Sequence, residues 1–300
     1  MKEKEKIKKK AESLGFSKIG FTTPQSIKGD FLLQWLRKGA EAGMAYMRRY
    51  TELRLNPSLL LPGVKTIISL AVNYYPGDVF YKDVKISRYA LGRDYHRVMK
   101  KMMKELFSYI KSLYPEARAR FFVDSAPVLE REIARRAGLG WIGKNTMLVT
   151  REYGSWVFLG EIFLTVEIPP DRPFDRNFCG TCRRCIEACP TGALSPYFLD
   201  SNLCISYVTV EHKGKIPDFY FNKNNGWIFG CDICQEVCPW NRKAKKTSLK
   251  DFLPEPERIF ITREKLSSMS RDEFQRLFKG TPVKRAGYEK IRKLVSNLNP

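Results

Sequence analysis

Histidine is nearly absent from this 300-residue chain: only His96 and His212 occur. General acid–base work therefore falls mainly to aspartate, glutamate or tyrosine. Long apolar runs are missing as well. No stretch approaches the ~18 apolar residues that would cross a bilayer. The opening MKEKEKIKKKAESLGF has neither the apolar core nor the small-residue cleavage site of a secretory leader. A soluble, cytoplasmic protein with no membrane partner is the expectation. Acidic residues are in deficit, 32 against 53 lysines and arginines, for a formal net charge of +21. Such an excess is the electrostatic footprint of a protein that meets phosphate backbones. The basic residues are dispersed, so charge does not say which nucleic acid. Cysteine is scarce outside two tight groups: of eight, only Cys204 stands alone. This is ligand arithmetic rather than a disulfide framework.

The first group reads CGTCRRCIEACP, placing Cys179, Cys182, Cys185 and Cys189 at C-x2-C-x2-C-x3-C-P; the second, CDICQEVCP, holds Cys231, Cys234 and Cys238. Structural zinc prefers paired C-x2-C knuckles and has no need of the C-x3-C-P step. In two-cluster ferredoxins, three closely spaced thiolates hold one cubane and the fourth of the run crosses to the other. That rule assigns Cys179, Cys182, Cys185 and Cys238 to one [4Fe–4S] cluster. Cys189, Cys231 and Cys234 fall to the second, which lacks one ligand until Cys204 supplies it. Two clusters in one small domain imply stepwise electron transfer.

Helical periodicity marks residues 1–14 and about 30–50, where Phe31, Leu32, Trp35 and Leu36 form an apolar face. Residues 64–75 read as a buried strand, and 93–114 as a long amphipathic helix with Val98, Met102, Leu106 and Ile110 in line. Further strands are expected at 119–124, 146–150 and 154–168. Ser125 and Pro127 suit the start of a helix over VLEREIARRAG. The proline-rich stretch 168–176 reads as a linker. The expected organisation is an α/β domain over 1–170, an iron–sulfur domain over 171–243, and a short helical tail over 244–300. The loop GLGWIG (138–143) spells G-x-G-x-x-G but follows a helix and precedes a strand. A dinucleotide turn needs the opposite order, so no NAD site is expected; Gly138 suits a helix end instead. Asp124 closes a strand just before a helix, where α/β domains tend to face their ligand crevice. A helix cap is the competing role. His96 begins a helix and is a site candidate; His212 lies between the cysteine groups and could equally be a surface residue.

The motifs MRRYTELRLNPSLLLPGVKTIISLAVNYY, RYALGRDYH, VDSAPVLERE, AGLGWIGKNTMLV, GSWVFLGEI, CGTCRRCIEACPTGAL, CISYVTVEHKGKIP and GCDICQEVCPWN, over roughly residues 1–285, together resemble the epoxyqueuosine reductases. The resemblance implies a nitroreductase-like α/β (α+β) cobalamin-binding domain followed by a ferredoxin-like two-cluster module. It implies reduction of epoxyqueuosine to queuosine at the wobble position of tRNA, through Co(I) cobalamin fed by two [4Fe–4S] clusters and an external electron donor. Asp124 becomes the proton donor, for which a carboxyl pKa raised by partial burial is expected. Arg54, His96, Ser155, Leu159, Ser206, Gln235 and Trp240 are implied, with Asp124, to line the corrin, and GLGWIG to supply pocket backbone. Family members commonly continue into HEAT-type helical repeats, whereas here GTPVKRAGYEKIRKLVSNLNP ends the sequence. The anticodon arm would then rest on Lys213, Lys215, Arg242, Lys243, Lys284 and Arg285, chiefly through phosphates. A monomer is expected. A reductive dehalogenase-like enzyme and a non-catalytic Fe–S carrier are the competing classes.

Overall fold

Thr66–Asn73 is buried along its whole length because both faces of its sheet are covered. In the computed structural model, which describes residues 3–296 and 298, this strand pairs antiparallel with Lys18–Thr22 and with Val157–Leu164. Ala119–Phe122 completes the four-stranded order beyond Val157–Leu164, also antiparallel. Side chains of a strand alternate between faces. Ile68, Leu70 and Val72 accordingly join Met99, Met103, Leu106 and Ile110 of the Tyr95–Leu113 helix and Ile7 of the Glu3–Ser13 helix. Ile67 turns the other way, toward Leu60, Ile133 and Phe163. The sheet is thus antiparallel and the fold mixed α+β, so the crevice rule for parallel strands is not what places Asp124.

Several expected elements are shorter than their sequence pattern. The helix expected over 30–50 ends at Arg37, and a separate short helix spans Tyr46–Arg49. Between them Gly39 and Ala42 take φ of +64° and +53°, which no helix tolerates. Leu32 and Leu36 are buried as the pattern implies, but Phe31 is 53% exposed. Strands occupy Leu148–Val149 and Val157–Leu164 only. The expected helix at 1–14 and tail at 244–300 reach residues 1, 2, 297, 299 and 300, outside the described set. The GLGWIG glycines serve close packing. Gly138 (φ +80°) ends the Glu130–Arg136 helix, and a Cβ on Gly140 would lie 2.2 Å from the Val149 carbonyl oxygen.

The cysteine-bearing segment is woven into the rest. Lys85–Ile86 pairs in parallel with Trp227–Phe229. Val84, Ile86 and Leu91 share a core with Ile205, Val208 and Tyr220 and with Phe274, Ile291 and Leu294 of the tail. This core runs across positions 170/171 and 243/244. At its edge Asp232, fully buried between Cys231 and Cys234, accepts hydrogen bonds from the Arg88 amide at 2.8 Å and the Arg88 guanidinium at 3.2 Å. Ser87 Oγ donates to the same carboxylate, and Arg88 reaches Glu236 at 2.6 Å. Removing one partner of a buried ion pair strands the other charge. Arg88→Met should therefore cost about 3–5 kcal/mol in urea unfolding, with Arg88→Met/Asp232→Asn recovering much of it.

Candidate active site and cysteine-lined cavities

Asp124 follows the Ala119–Phe122 strand with its backbone in the left-handed region, φ +55°. For a non-glycine residue this costs on the order of 1–2 kcal/mol, so surrounding contacts must hold it there. Ser125 N–H donates to the Val123 carbonyl at 2.5 Å, closing a three-residue turn around Asp124. The Asp124 N–H donates to Glu130 Oε1, also at 2.5 Å. Tyr95 Oη donates to Asp124 Oδ2 at 2.6 Å, and His96 Nε2 lies 3.5 Å from the same oxygen. The other imidazole nitrogen, Nδ1, is 2.7 Å from Asp94 Oδ1. Asp94 caps the Tyr95–Leu113 helix through the His96 amide at 3.0 Å, which fixes both aromatic donors at one helix start. Tyr95 is stacked between His96 and Phe158, with ring centroids 4.1 and 4.2 Å away. Neither Asp124 nor Ser125 caps the following helix: its first residue is Glu130, and Ser125 Oγ turns back to Val123 O.

The electrostatics correct one expectation. Burial pushes the Asp124 carboxyl upward, but hydrogen bonds from His96 and Tyr95, with the charges of His96 and Arg285, outweigh it and hold the pKa below its ordinary value. Asp124 rests as a carboxylate, not as the neutral acid. The proton sits next door. Burial opposes an imidazolium at His96, yet the Asp124 and Asp94 carboxylates overcome this and raise its pKa from 6.5 to about 9. Behind Asp124, burial and then the Asp124 charge push Glu130 up to about 8.

One cavity adjoins this site at Tyr95, and a second shares Asn145 with it. Tyr95 lines the larger, of about 320 Å3, together with Tyr74, Tyr89, Phe158, Asn145, Thr146 and Met147. Cys189, Cys204, Cys231 and Cys234 border the same space, as do Ser206 and Gln235. The smaller cavity, about 140 Å3, is bordered by Cys179, Cys182, Cys185 and Cys238 with Phe178, Lys144 and Trp240. All eight cysteines are free thiols. Among the described residues no three His, Cys, Asp or Glu side chains converge tightly enough for a single metal ion. Four thiols around a wider space suit a cubane, which is a larger body. Burial, with neighbouring cysteines adding to it, pushes the thiols of Cys185, Cys204 and Cys234 upward. Such a set becomes thiolate together when a cation shares the cavity. Asn145 borders both cavities, and its buried Nδ2 has no protein partner.

The other expected site residues are distributed as follows. Ser155 is buried and donates through Oγ to Gln235 Oε1 at 2.8 Å. Leu159 packs beside Val157 and Leu148. Arg54 is 6% exposed, with its Nε unpartnered. Trp240 borders the smaller cavity and donates to Phe178 O at 3.2 Å. Lys213, Lys215, Arg242, Lys243, Lys284 and Arg285 are all exposed. Arg285 is paired with Glu211 at 2.9 Å and its charge reaches Asp124. His212 Nε2 is 2.8 Å from its own loop's Lys215 carbonyl and joins neither cavity. Sequence reasoning overlooked Tyr95, the immediate neighbour of His96, and Glu130, six residues beyond Asp124 in the same motif.

Residues 54–125 match the family described as epoxyqueuosine reductase QueG, DUF1730, and residues 178–241 match the 4Fe-4S double cluster binding domain. The epoxyqueuosine reductase of Cyclobacterium marinum is 41% identical over 289 residues, spanning 94% of this chain and 92% of that protein. The chain belongs to the epoxyqueuosine reductase family. It is therefore an oxidoreductase with a double-cluster domain. An epoxyqueuosine reductase crystal structure with an epoxyqueuosine-modified tRNA-Tyr stem loop aligns with a TM-score of 0.90 at 32% identity, covering 98% of this chain and 80% of that one. The Bacillus subtilis epoxyqueuosine reductase, in a form with its catalytic aspartate loop swung out of the active site, gives 0.88 at 31% identity over 98% and 80%. Among the described residues, no helix is long and apolar enough to cross a membrane.

In this chain the raised His96 pKa stabilises the folded state fully below pH 6.5, and that contribution is lost as pH rises through about 9. Unfolding free energy should fall by about 2–3 kcal/mol across this window. His96→Asn, followed by denaturant titration at several pH values, should flatten that part of the profile.

Proposed function

We propose that this epoxyqueuosine reductase converts epoxyqueuosine to queuosine at the wobble position of tRNA, using cobalamin and two [4Fe–4S] clusters. The observation that carries the reading is the meeting of the Asp124–Tyr95–His96 array with one wall of a cavity bordered elsewhere by four cysteines. The α+β portion is read as the nitroreductase-like cobalamin-binding arrangement, and the cysteine segment as its ferredoxin-like module. Cys179, Cys182, Cys185 and Cys238 would hold one cluster and Cys189, Cys204, Cys231 and Cys234 the other. The grouping of these residues around two separate cavities supports that division. Ser206, Gln235 and the unpartnered Asn145 amide would hold polar edges of the corrin, with Ser155 fixing Gln235. Arg54, His96, Leu159 and Trp240 complete the set that the family motifs imply.

Cobalamin, when bound, would supply the two low-potential electrons needed to break both epoxide carbon–oxygen bonds, the oxygen taking up two protons and leaving as water. The chain's own residues handle the proton. Asp124 delivers it to the departing oxygen, and His96, protonated at neutral pH, replenishes the carboxylate through Nε2. Tyr95 orients the carboxylate, and Asp94 holds the imidazole from behind. The solved relative bound to an epoxyqueuosine-modified tRNA-Tyr stem loop supports an anticodon-arm substrate. Exposed Lys213, Lys215, Arg242, Lys243, Lys284 and Arg285 are its proposed phosphate contacts. An unpaired loop base can be turned into a pocket without breaking a continuous duplex. The protein is read as a cytoplasmic monomer fed by an external electron donor.

Nucleoside mass analysis of epoxyqueuosine-containing tRNA, before and after incubation with the reconstituted enzyme, tests the reaction directly. Asp124→Asn should lower queuosine formation about a hundredfold or more while clusters and cobalamin remain bound; wild-type turnover would refute the role. The rate should fall as pH rises through about 9, where His96 loses its proton, and His96→Asn should abolish that limb. Cys204→Ala should reduce bound iron from about eight atoms per chain to about four, with one cluster's spectrum retained. Full iron content in that variant would remove Cys204 from the ligand set.

A further inference from the structure

Asp124 is fixed at its side chain by Tyr95 and His96, but a proton donor must loosen those bonds whenever its carboxyl changes state. Its backbone is fixed separately. The N–H of Asp124 has one acceptor, Glu130 Oε1 at 2.5 Å, and the residue stands at φ +55°. Glu130 opens the Glu130–Arg136 helix, where an acidic residue ordinarily needs no explanation. Here its carboxyl reaches back six residues instead of serving its own helix. Arg131 does the same on the other side. Its guanidinium donates to the Thr146 carbonyl and, at 3.2 Å, to Thr146 Oγ1; Thr146 lines the larger cavity at φ +67°. Two non-glycine residues in left-handed conformations thus border the site, and adjacent residues of one helix start hold both.

We infer that Glu130 is a positioning residue, a backbone latch that keeps the Asp124 loop turned into the active site. The inference rests on the proton-donor reading of Asp124. A latch needs an acceptor oxygen rather than a charge, and the surroundings suit a neutral one. Burial and the Asp124 charge favour the protonated form of Glu130. Glu161, buried behind it with neither oxygen hydrogen-bonded, is pushed up by burial and by Glu130. Arg131 and His96 act in the opposite direction on Glu130. So does the Asp124 N–H itself, which bonds a carboxylate more strongly, but the carbonyl oxygen of a protonated Glu130 still accepts it.

The test compares holoenzymes carrying Glu130→Ala, Glu130→Gln and Glu130→Asp, with epoxyqueuosine-containing tRNA as substrate. Glu130→Gln keeps the acceptor at full reach and cannot ionise; Glu130→Asp keeps the carboxyl group but withdraws the acceptor by one methylene. kcat should fall about a hundredfold in the Ala and Asp variants at unchanged KM, and stay within about threefold in the Gln variant. Amide hydrogen exchange over residues 122–129 should quicken in the Ala and Asp variants and remain slow in the Gln variant. If the Ala variant does not fold, the Gln and Asp pair decides alone. Wild-type kcat and exchange in Glu130→Asp, or loss of both in Glu130→Gln, would overturn the latch. Asp124→Asn run alongside separates the premises: its wild-type turnover would end the proton-donor reading, while the exchange comparison would still decide for or against Glu130.

Discussion

The Asp124 carboxylate, held between a tyrosine hydroxyl and an imidazolium at the start of one helix, is the contact around which the rest of the site is arranged. Tyr95 and His96 are consecutive residues, and consecutive helical positions do not share a face. They meet at Asp124 because they occupy the first turn, where Asp94 bonds both the amide and the ring of His96. The remaining length of that helix, from Met99 to Ile110, is anchored in the main core. The donor pair therefore inherits the rigidity of the sheet. Their partner Asp124 sits in a left-handed turn on the other side. In the Bacillus subtilis relative, the catalytic aspartate loop is found swung out of the active site.

A second constraint is electrical. A carboxylate, an imidazolium and a second buried acid lie within one array, so proton location is set by competition rather than by any single pKa. Burial alone would raise the Asp124 pKa. Two donors reverse that, and the same interactions store a proton on His96 up to about pH 9. On the proton-donor reading proposed for Asp124, the arrangement separates the residue that would deliver the proton from the residue that keeps it. It also leaves Glu130, whose proton is retained to about pH 8, free to act through its carbonyl oxygen.

The cysteine pattern was legible in the sequence because cluster ligation is written in spacing, and spacing survives folding. The eight cysteines border two cavities in the groups that the crossing rule of two-cluster ferredoxins implies. Asp124 was legible as a candidate for a reason that the fold does not share: its sheet is antiparallel, and a strained turn, not a parallel crevice, presents it. Hydrophobic periodicity found the Tyr95–Leu113 helix but overran the short one at Asp30–Arg37, since it does not register the left-handed residues Gly39 and Ala42. The direction of the Asp124 pKa could not be read, because it depends on partners 28 and 29 positions away in the chain. Glu130 was hidden by being ordinary, an acid at a helix start whose bond runs backward.

The interleaving of the two halves gives the positive charge a structural context. Val84 to Leu91 enter a core built mainly from residues beyond 204, and Arg88 closes onto Asp232 between two cysteines. A cavity wall made of Tyr89 and Tyr95 is thereby held at a fixed position against Cys231 and Cys234. Electron transfer needs such fixed spacing, whereas RNA binding tolerates dispersed lysines and arginines acting through phosphates. Rigid, paired and buried charge therefore lies at the cysteine loop, while the surplus positive charge stays on exposed side chains. Arg285 touches both regimes: it is exposed on the tail, paired with Glu211, and close enough to pull down the Asp124 pKa.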